Sequence, residues 1–329
     1  MRARHQPAAP DEVSDQPLAT PNVRPFLKWA GGKRQLLPRL REFYPALFGA
    51  YHEPFIGSGA VFFDLVAAGL LSGHHARLTD SNVDLIGCYS RVRNQAEAVI
   101  ERLRRHAAAH TRDPHAHYYG TRDRKFNPAR RKLLNGAGGY SADLAAMLIY
   151  LNRTGFNGLF RLNAKGMFNV PLGRYRNPKI CDPDNLREVA RVLSHPSVSV
   201  RSAPYWETLE SANPGDFIYL DPPYAPLSTT ARFTSYTPRG FSLDDQTQLQ
   251  RTVVRLAKKR CWVLLSNSTA PDVAALYDGN AAAVRAGLRA YTVPARRAIN
   301  SVARRRGTVM EYLITNIPRR ALQAPASCR

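Results

Sequence analysis

The segment DFIYLDPPYAP, residues 216–226, places an acid and two prolines directly after an apolar run. Proline has no backbone N–H and holds φ near one value, so two consecutive prolines end a strand and fix the course of the chain. The apolar run 217–220 is therefore predicted to be a buried strand that ends at Asp221. In purely structural terms, the segment would be a stiff turn with a surface acid and a packing tyrosine.

The same turn has the side chains to bind an amino group. The carboxylate of Asp221 and the carbonyl of Pro222 are two hydrogen-bond acceptors, and together they could orient an exocyclic NH₂ towards a methyl donor. Pro223 stiffens the turn, and Tyr224 offers a face on which a flipped base could stack, worth ~1–3 kcal/mol. The carboxyl end of a parallel strand is also where α/β sheets bind ligands.

A glycine turn forms the second candidate site. The segment FIGSG, residues 55–59, is typical of a strand-to-helix turn, where glycines such as Gly57 let a ligand approach the backbone. Asp80 ends the next predicted strand, a position from which an acid can hydrogen-bond ribose hydroxyls. Phe62 replaces the third glycine of the dinucleotide fingerprint. The pattern therefore favours a nucleoside-like ligand without a pyrophosphate over NAD.

The segment WAGGK, residues 29–33, is not a phosphate-binding P-loop. The first glycine of that motif would fall on Leu27, and Arg34 replaces its Ser or Thr. Trp29 and Lys33 could line a ligand pocket, or the tryptophan could pack and the lysine could be solvated. This segment alone does not decide between the two interpretations.

Four histidines at positions 106, 110, 115 and 117 have partly helical spacing, which would allow some of them to share a face. No Cys or Glu completes a convincing ligand set, and arginines crowd the region. We therefore predict no metal site. The histidines are interpreted as part of a solvated helix that could face DNA.

The charge of the chain indicates a polyanionic partner. Its 329 residues include 47 Lys and Arg against 25 Asp and Glu, for a net charge of +22. Residues 91–180 carry 18 basic side chains and 5 acidic ones, and residues 285–306 carry seven arginines and no acid. No apolar stretch approaches the ~20 residues that span a bilayer. Nucleic acid is therefore favoured over a membrane surface.

The four cysteines are widely spaced and form no C-x-x-C pair, which favours a reducing compartment without disulfides or a zinc knuckle. Residues 1–22 have no apolar core of a secretory signal and are predicted to be a disordered leader. We accordingly expect a cytoplasmic protein. After residue 180, predicted strands at 198–201, 217–220, 261–266 and 309–315, with a helix at 243–259, indicate an α/β sheet domain interrupted by a basic insert.

The chain resembles the Dam-type DNA adenine-N6 methyltransferases of the alpha group, which use S-adenosylmethionine. The similarity runs from Arg24 to Asn316 in the order of the family. It is carried by the segments FLKWAGGK, EPFIGSG, TDSNVDL, YLNRTGFNGLFRLNAKGMFNVPLGRY, DPPYAPLSTTARFTSY and RRAIN…EYLITN.

This resemblance implies an α/β fold, with a Rossmann-like methyltransferase sheet and an inserted, mostly helical DNA-recognition domain that carries a basic β-hairpin. The expected cofactor-binding domain is discontinuous, at residues 23–90 and 181–318. The recognition domain would comprise residues 91–180. Residues 319–329 would form a flexible tail, and neither this tail nor the leader has a counterpart in the core of the family.

The resemblance also implies roles for individual residues. Positions that match the cofactor contacts of the family are Trp29, Lys33, Phe55, Gly57, Asp80 and Asp221, and the catalytic motif matches Asp221, Pro222, Pro223 and Tyr224. The DNA-contacting hairpin matches Asn157, Leu159, Arg161, Pro171, Tyr175 and Arg176. Arg161 could make the bidentate contact that specifies guanine. The similarity of the hairpin favours GATC as the target.

The expected reaction is direct transfer of a methyl group from S-adenosylmethionine to N6 of an adenine flipped out of double-stranded DNA. No metal and no membrane take part, and the oligomeric state is open, with a monomer compatible with the sequence. One alternative is an amino methyltransferase of other specificity, acting on adenine outside GATC or on cytosine N4, although the cytosine enzymes usually have Ser in place of Asp221. Another is a DNA-binding regulator without catalysis, against which Trp29, Lys33, Asp80 and Asp221 argue.

Overall fold

A computed structural model describes residues 18, 20, 22–29, 33–224, 241–296 and 308–319. A seven-stranded sheet forms the centre of this described part. Its strands in chain order are β1 (Tyr51–Glu53), β2 (Ala76–Asp80), β3 (Val198–Ser202), β4 (Phe217–Leu220), β5 (Trp262–Ser268), β6 (Arg289–Arg296) and β7 (Thr308–Thr315). Across the sheet the order is β3-β2-β1-β4-β5-β7-β6. The predicted α/β sheet is confirmed.

Strands β1 to β5 pair in parallel, whereas β7 runs antiparallel between β5 and β6. The four residues of β4 are all buried, as expected for a central strand of a parallel sheet whose two faces are covered. Strand β1 lies between β2 and β4, so the strand order reverses at β1 and leaves a crevice at the carboxyl ends of β1 and β4. The glycine turn follows β1 and Asp221 follows β4, which places both predicted sites at this crevice.

Helices accompany the sheet and make up most of the segment between β2 and β3. They are α1 (Leu37–Leu40), α2 (Ala60–Ala67), α3 (Val83–Arg112), α4 (Pro114–Thr121), α5 (Asn127–Leu134), α6 (Ala142–Thr154), α7 (Pro183–Leu193), α8 (Tyr205–Glu210), α9 (Leu243–Lys258), α10 (Pro271–Tyr277) and α11 (Ala281–Arg285). Asn82 caps α3 by accepting the N–H groups of Asp84 and Leu85, and Ser242 and Asp245 form a capping box at α9. None of these helices is long and apolar enough to cross a membrane.

Helix α3 connects the sheet to the helices that follow it. It begins directly after β2 and continues across residue 91, with non-helical dihedral angles at Gln95 (φ −144°, ψ 43°). It packs along α6, which is buried almost all round, and along α7. The chain then forms an irregular hairpin held by two isolated bridges, Gly155 with Leu172 and Leu162 with Phe168. The division into domains stays a prediction.

The interpretation of the histidines as solvated is wrong for His110, which is buried, whereas His106 and His117 are partly buried. The Nδ1 atom of His106 lies 2.9 Å from Nε2 of His117, and Nδ1 of His110 lies 3.0 Å from the hydroxyl of Tyr150. The ring of His106 also stacks on Tyr150, and burial lowers the pKa of His106 to about 4. Only His115 is exposed among the four. Within the described ranges, no group of three or more His, Cys, Asp or Glu side chains could hold a metal ion.

The strands predicted at 198–201, 217–220, 261–266 and 309–315 and the helix at 243–259 agree with the structure to within two residues at each end. Strand β6 was not predicted, because Pro294 and the arginines of this region were interpreted only as a charge cluster. The leader, the tail and the arginines at 297–306 lie largely or wholly outside the described residues.

Candidate active site

Asp221 follows the last residue of β4 and is held by two side chains. Its Oδ1 atom lies 2.9 Å from Nζ of Lys33 and accepts the hydroxyl of Ser266 at 3.1 Å. Ser266 is on β5 and is itself 3.0 Å from the hydroxyl of Tyr219. Burial raises the pKa of Asp221, and the Lys33 ammonium opposes this rise. Both contacts hold Oδ1 of the carboxylate, and the lysine favours its ionised form.

Lys33 is a buried cation, with only 4% of its side chain exposed. An ammonium out of water needs charged or aromatic partners. The structure provides Asp221, the carboxylate of Glu311 at 3.8 Å and the ring of Tyr224, whose centroid lies 4.5 Å from Nζ. The interpretation of Lys33 as a solvated side chain is therefore excluded.

Two residues that sequence reasoning missed hold the rest of the turn. The hydroxyl of Tyr224 donates to Oε2 of Glu311 at 2.7 Å, and Nε2 of Gln246 donates to the carbonyl of Pro223 at 3.1 Å. Gln246 is in turn held by Nδ2 of Asn267 at 3.0 Å. The sequence contains one signal for each residue: an acid at the start of the apolar strand segment EYLIT, and a glutamine at a position of α9 that is buried in the structure. Neither signal indicates a site residue unless the fold is known.

The glycine turn lies against Asp80 and Trp29. Oδ2 of Asp80 accepts the N–H of Gly57 at 3.4 Å and Oδ1 accepts the N–H of Asn82 at 2.9 Å. Gly57 has φ of +48°, and a Cβ there would lie 3.0 Å from Cδ1 of Trp29, so conformation and packing both require glycine. Burial raises the pKa of Asp80 to about 6. Trp29, Gly57 and Asp80, predicted from three separate segments, are thus brought together.

Phe55 forms part of an aromatic wall beside this turn. Its ring stacks on Tyr205 at a centroid distance of 5.3 Å and meets Phe241 edge-on at 6.2 Å. Neither Tyr205 nor Phe241 was predicted. Glu53, which ends β1, was also missed: it is buried, it accepts the hydroxyl of Tyr51 at 2.8 Å, and its burial raises its pKa to about 8.

The hairpin lies next to Trp29. The ring of Trp29 stacks on Phe160 with centroids 5.5 Å apart, and Asn152 bonds to the backbone of both Lys28 and Gly158. Arg161 is held by Asn169, whose Oδ1 accepts from Nε at 2.8 Å. The hairpin and the segment that carries Lys28 and Trp29 therefore pack against each other.

The remaining hairpin residues differ in their surroundings. Asn157 has a left-handed backbone with φ of +54°, a conformation that Asn tolerates better than most residues. Nζ of Lys28 lies over the ring of Tyr175, 4.1 Å from its centroid. Pro171 and Arg176 are exposed and Leu159 is partly exposed. These residues lie on the surface of the hairpin or close to it, where a duplex could reach them.

The chain matches the family model described as D12 class N6 adenine-specific DNA methyltransferase over residues 29–291. It is 36% identical over 295 residues to the type II methyltransferase M1.LlaDCHI of Lactococcus lactis subsp. cremoris, covering 90% of this chain and 96% of that protein. It is 35% identical over 302 residues to a DNA adenine methylase of Vibrio cholerae, covering 92% of this chain and 99% of the relative. The corresponding Escherichia coli enzyme is 34% identical over 244 residues, covering 74% and 80%.

The family match covers strands β1 to β5, the glycine turn, the hairpin and the DPPY turn together. The α/β sheet is thus that of a Rossmann-like methyltransferase, and the resemblance drawn from the sequence motifs is confirmed. The chain belongs to the D12 class of N6 adenine-specific DNA methyltransferases.

Proposed function

We propose that this adenine-specific DNA methyltransferase uses S-adenosylmethionine, flips its target adenine out of duplex DNA and acts within GATC. The observation that carries the proposal is the fixed carboxylate of Asp221, held by Lys33 and Ser266 beside Pro222 and Tyr224. A flipped base is required because the adenine amino group is not accessible inside the duplex.

The crevice fits a nucleoside cofactor. Asp80 is a carboxylate at the end of β2 that accepts backbone N–H groups from Gly57 and Asn82 and retains acceptor positions for ribose hydroxyls. Phe55 and Tyr205 offer an apolar wall to a base. The residues that would hold the cofactor are therefore Trp29, Lys33, Phe55, Gly57, Asp80 and Asp221. S-adenosylmethionine supplies an activated methyl group bonded to a positively charged sulfur.

The DPPY turn would hold the adenine amino group. The Asp221 carboxylate would accept one N6–H of the adenine. The carbonyl of Pro222 would accept the other, because the neighbouring carbonyl of Pro223 already accepts a hydrogen bond from Gln246. Both acceptors lie in a rigid turn, so the nitrogen lone pair is oriented before the reaction and positioning contributes most of the acceleration. Tyr224 stacks on the base with the face opposite Lys33, since the ammonium covers the other face.

The hairpin would read the target sequence. Asn169 holds Arg161 through Nε at 2.8 Å and through Nη2 at 3.4 Å. The Nη1 group and the second N–H of Nη2 would make the bidentate contact to guanine O6 and N7. Asn157, Leu159, Pro171, Tyr175 and Arg176 would make the other DNA contacts. The similarity of this hairpin to that of the Dam-type enzymes supports GATC.

Replacing Asp221 with Ala tests the chemistry. The variant should lose transfer of tritium from labelled S-adenosylmethionine to DNA, while its affinity for duplex DNA in a gel-shift assay stays within about twofold. Asp244→Ala, which removes an exposed acid from the first turn of α9, is the control and should keep full activity. Transfer at the wild-type rate by Asp221→Ala would contradict the proposed site.

The sequence specificity needs a separate experiment. Plasmid DNA methylated by the enzyme is digested with endonucleases that differ in their sensitivity to N6-methyladenine in GATC. Protection from the enzyme that methylation blocks is expected. Complete cleavage, together with tritium incorporation, would remove GATC and leave adenine methylation in place.

A further inference from the structure

Glu311 is a largely buried carboxylate on β7 that has no role in the reaction proposed above. In the register of the sheet it pairs with Ser268 of β5 and Val293 of β6, and 12% of its side chain is exposed. A carboxylate in such a place is stable only with partners. Its partners are the hydroxyl of Tyr224 at 2.7 Å and the ammonium of Lys33 at 3.8 Å.

The contact with Tyr224 fixes the orientation of a ring. The hydrogen bond joins a hydroxyl to a carboxylate, a charge-assisted type that is shorter and stronger than a neutral one. At the backbone end, Gln246 holds the carbonyl of Pro223, the residue before Tyr224. With both ends held and Lys33 against the ring, the plane of Tyr224 is set by protein contacts before a base arrives.

The contact with Lys33 links Glu311 to Asp221. Lys33 lies between the two carboxylates, 2.9 Å from Asp221 and 3.8 Å from Glu311. The negative charge of Glu311 therefore raises the pKa of Asp221. Glu53, Tyr219 and Tyr224 also interact electrostatically with this carboxylate, and Ser266 donates to it.

We infer that Glu311 is a positioning residue for methyl transfer, which holds the ring of Tyr224 in the plane that stacks on the flipped adenine and shares Lys33 with Asp221. The inference rests on the proposed role of Asp221 and Tyr224 in binding the target base. Glu311 itself touches neither the base nor the methyl group, so its effect passes through Tyr224 and Lys33.

A double-mutant cycle tests the link to Tyr224. Glu311→Ala and Tyr224→Phe each remove one partner of the hydrogen bond, and each should slow single-turnover methyl transfer at saturating DNA and cofactor at least about tenfold. The double variant should be no more than about twofold slower than the slower single variant. Independent losses that multiply in the double variant, or wild-type rates in both singles, would overturn the inference.

Tyr312→Phe is the matched control. It removes another tyrosine-to-carboxylate bond from the same strand, in which the hydroxyl of Tyr312 donates to Asp278 at 3.2 Å. Its single-turnover rate should stay within about twofold of wild type. A rate loss equal to that of Tyr224→Phe would mean that any such bond on β7 matters, and it would overturn a specific role for Glu311.

The pH profile separates positioning from a merely structural role. In Glu311→Gln the amide keeps volume and an acceptor for Tyr224 but loses the charge, so the pKa of Asp221 should fall. Since the ionised carboxylate is the active form, the acid limb of the single-turnover rate should move to lower pH. It should stay in place in Tyr224→Phe, which keeps the charge of Glu311. An acid limb that does not move in Glu311→Gln would overturn the inference.

Parallel measurements keep the outcomes distinct. If Asp221→Ala methylates DNA at the wild-type rate, the proposed function fails. If Asp221→Ala is inactive while Glu311→Ala is fully active, only the role of Glu311 fails. Should Glu311→Ala not fold, as judged by circular dichroism, Glu311→Gln and Tyr224→Phe still decide through the rate and the pH profile.

Discussion

At the scale of single residues, the structure explains Lys33 and Gly57, whose roles the local sequence alone does not decide. The two carboxylates near Lys33 come from distant parts of the chain, since Asp221 follows β4 and Glu311 lies on β7. Gly57 has the features of an ordinary turn glycine. Its positive φ and the close approach of Trp29 would require glycine even if no ligand were bound there. The turn is therefore a structural element whose position at the crevice gives it a candidate function.

Replacing Gln246 with Leu should slow catalysis, because Gln246 holds the turn that contains Pro223 and Tyr224. The change removes the donor to the Pro223 carbonyl and leaves Nδ2 of Asn267 without its acceptor, a loss of about 1–3 kcal/mol of unfolding free energy. We expect a lower kcat with little change in KM for the cofactor. Steady-state kinetics and urea unfolding measure the two effects.

Gln250→Leu is the control on the same helix, where Nε2 of Gln250 donates to the carbonyl of Leu276 at 3.3 Å. This variant should lose stability by a similar mechanism and keep its kcat. If both variants lost kcat equally, the cause would be general destabilisation of α9 and not the lost hydrogen bond to Pro223.

At the scale of elements, a buried ion pair connects α5 to the first turn of α3. Nε of Arg130 on α5 lies 2.5 Å from Oδ2 of Asp84 on α3, and Arg130 also donates to the carbonyl of Gly166 in the hairpin. Arg130→Met would leave Asp84 as an uncompensated buried charge. We expect a loss of about 3–5 kcal/mol in urea unfolding. Arg187→Met, which breaks the surface pair with Glu97, should change stability little.

The histidines of α3 and α4 predict how stability depends on pH. Burial lowers the pKa of His106 from 6.5 to about 4, so between these values the unfolded chain binds a proton that the native protein does not. Stability should therefore fall as the pH falls from about 6.5 to about 4. His106→Gln should weaken this dependence, measured as the unfolding free energy against pH. The exposed His115, changed to Gln, should leave it unchanged.

The elements also show how far the sequence could be interpreted. The strand that ends at Asp221 and the capped helix α9 were predicted because apolar runs, prolines and capping residues act locally. Strand β6 and the packing of His106 on Tyr150 were not, because both depend on neighbours distant in the chain. Asp80 and Asp221 were predicted as site residues because each ends a predicted strand, and Lys33 because the chain resembles the Dam-type family. Glu311 and Gln246 were missed, because their contacts also depend on distant neighbours.

At the scale of the whole molecule, a net charge of +22 should make DNA binding strongly salt-dependent. Removing one phosphate-binding side chain should reduce the slope of log K against log salt by about 0.9. Arg176→Ala, at an exposed position of the hairpin, is expected to reduce the slope by about this amount in titrations of duplex DNA. A slope unchanged from wild type would exclude binding of a phosphate by Arg176. Arg187→Ala, whose charge is paired with Glu97, serves as control.

The position of β7 has a consequence for how the enzyme matures. This strand is the last in the described chain, yet it lies inside the sheet between β5 and β6 and carries Glu311 to Lys33, near the opposite end of the sequence. During synthesis, the second carboxylate for this buried lysine is therefore made only after strands β1 to β6. A chain that stops before β7 would expose two unpaired strand edges, which invite aggregation. Incomplete products should accordingly precipitate instead of remaining as DNA-binding fragments that compete with the finished enzyme.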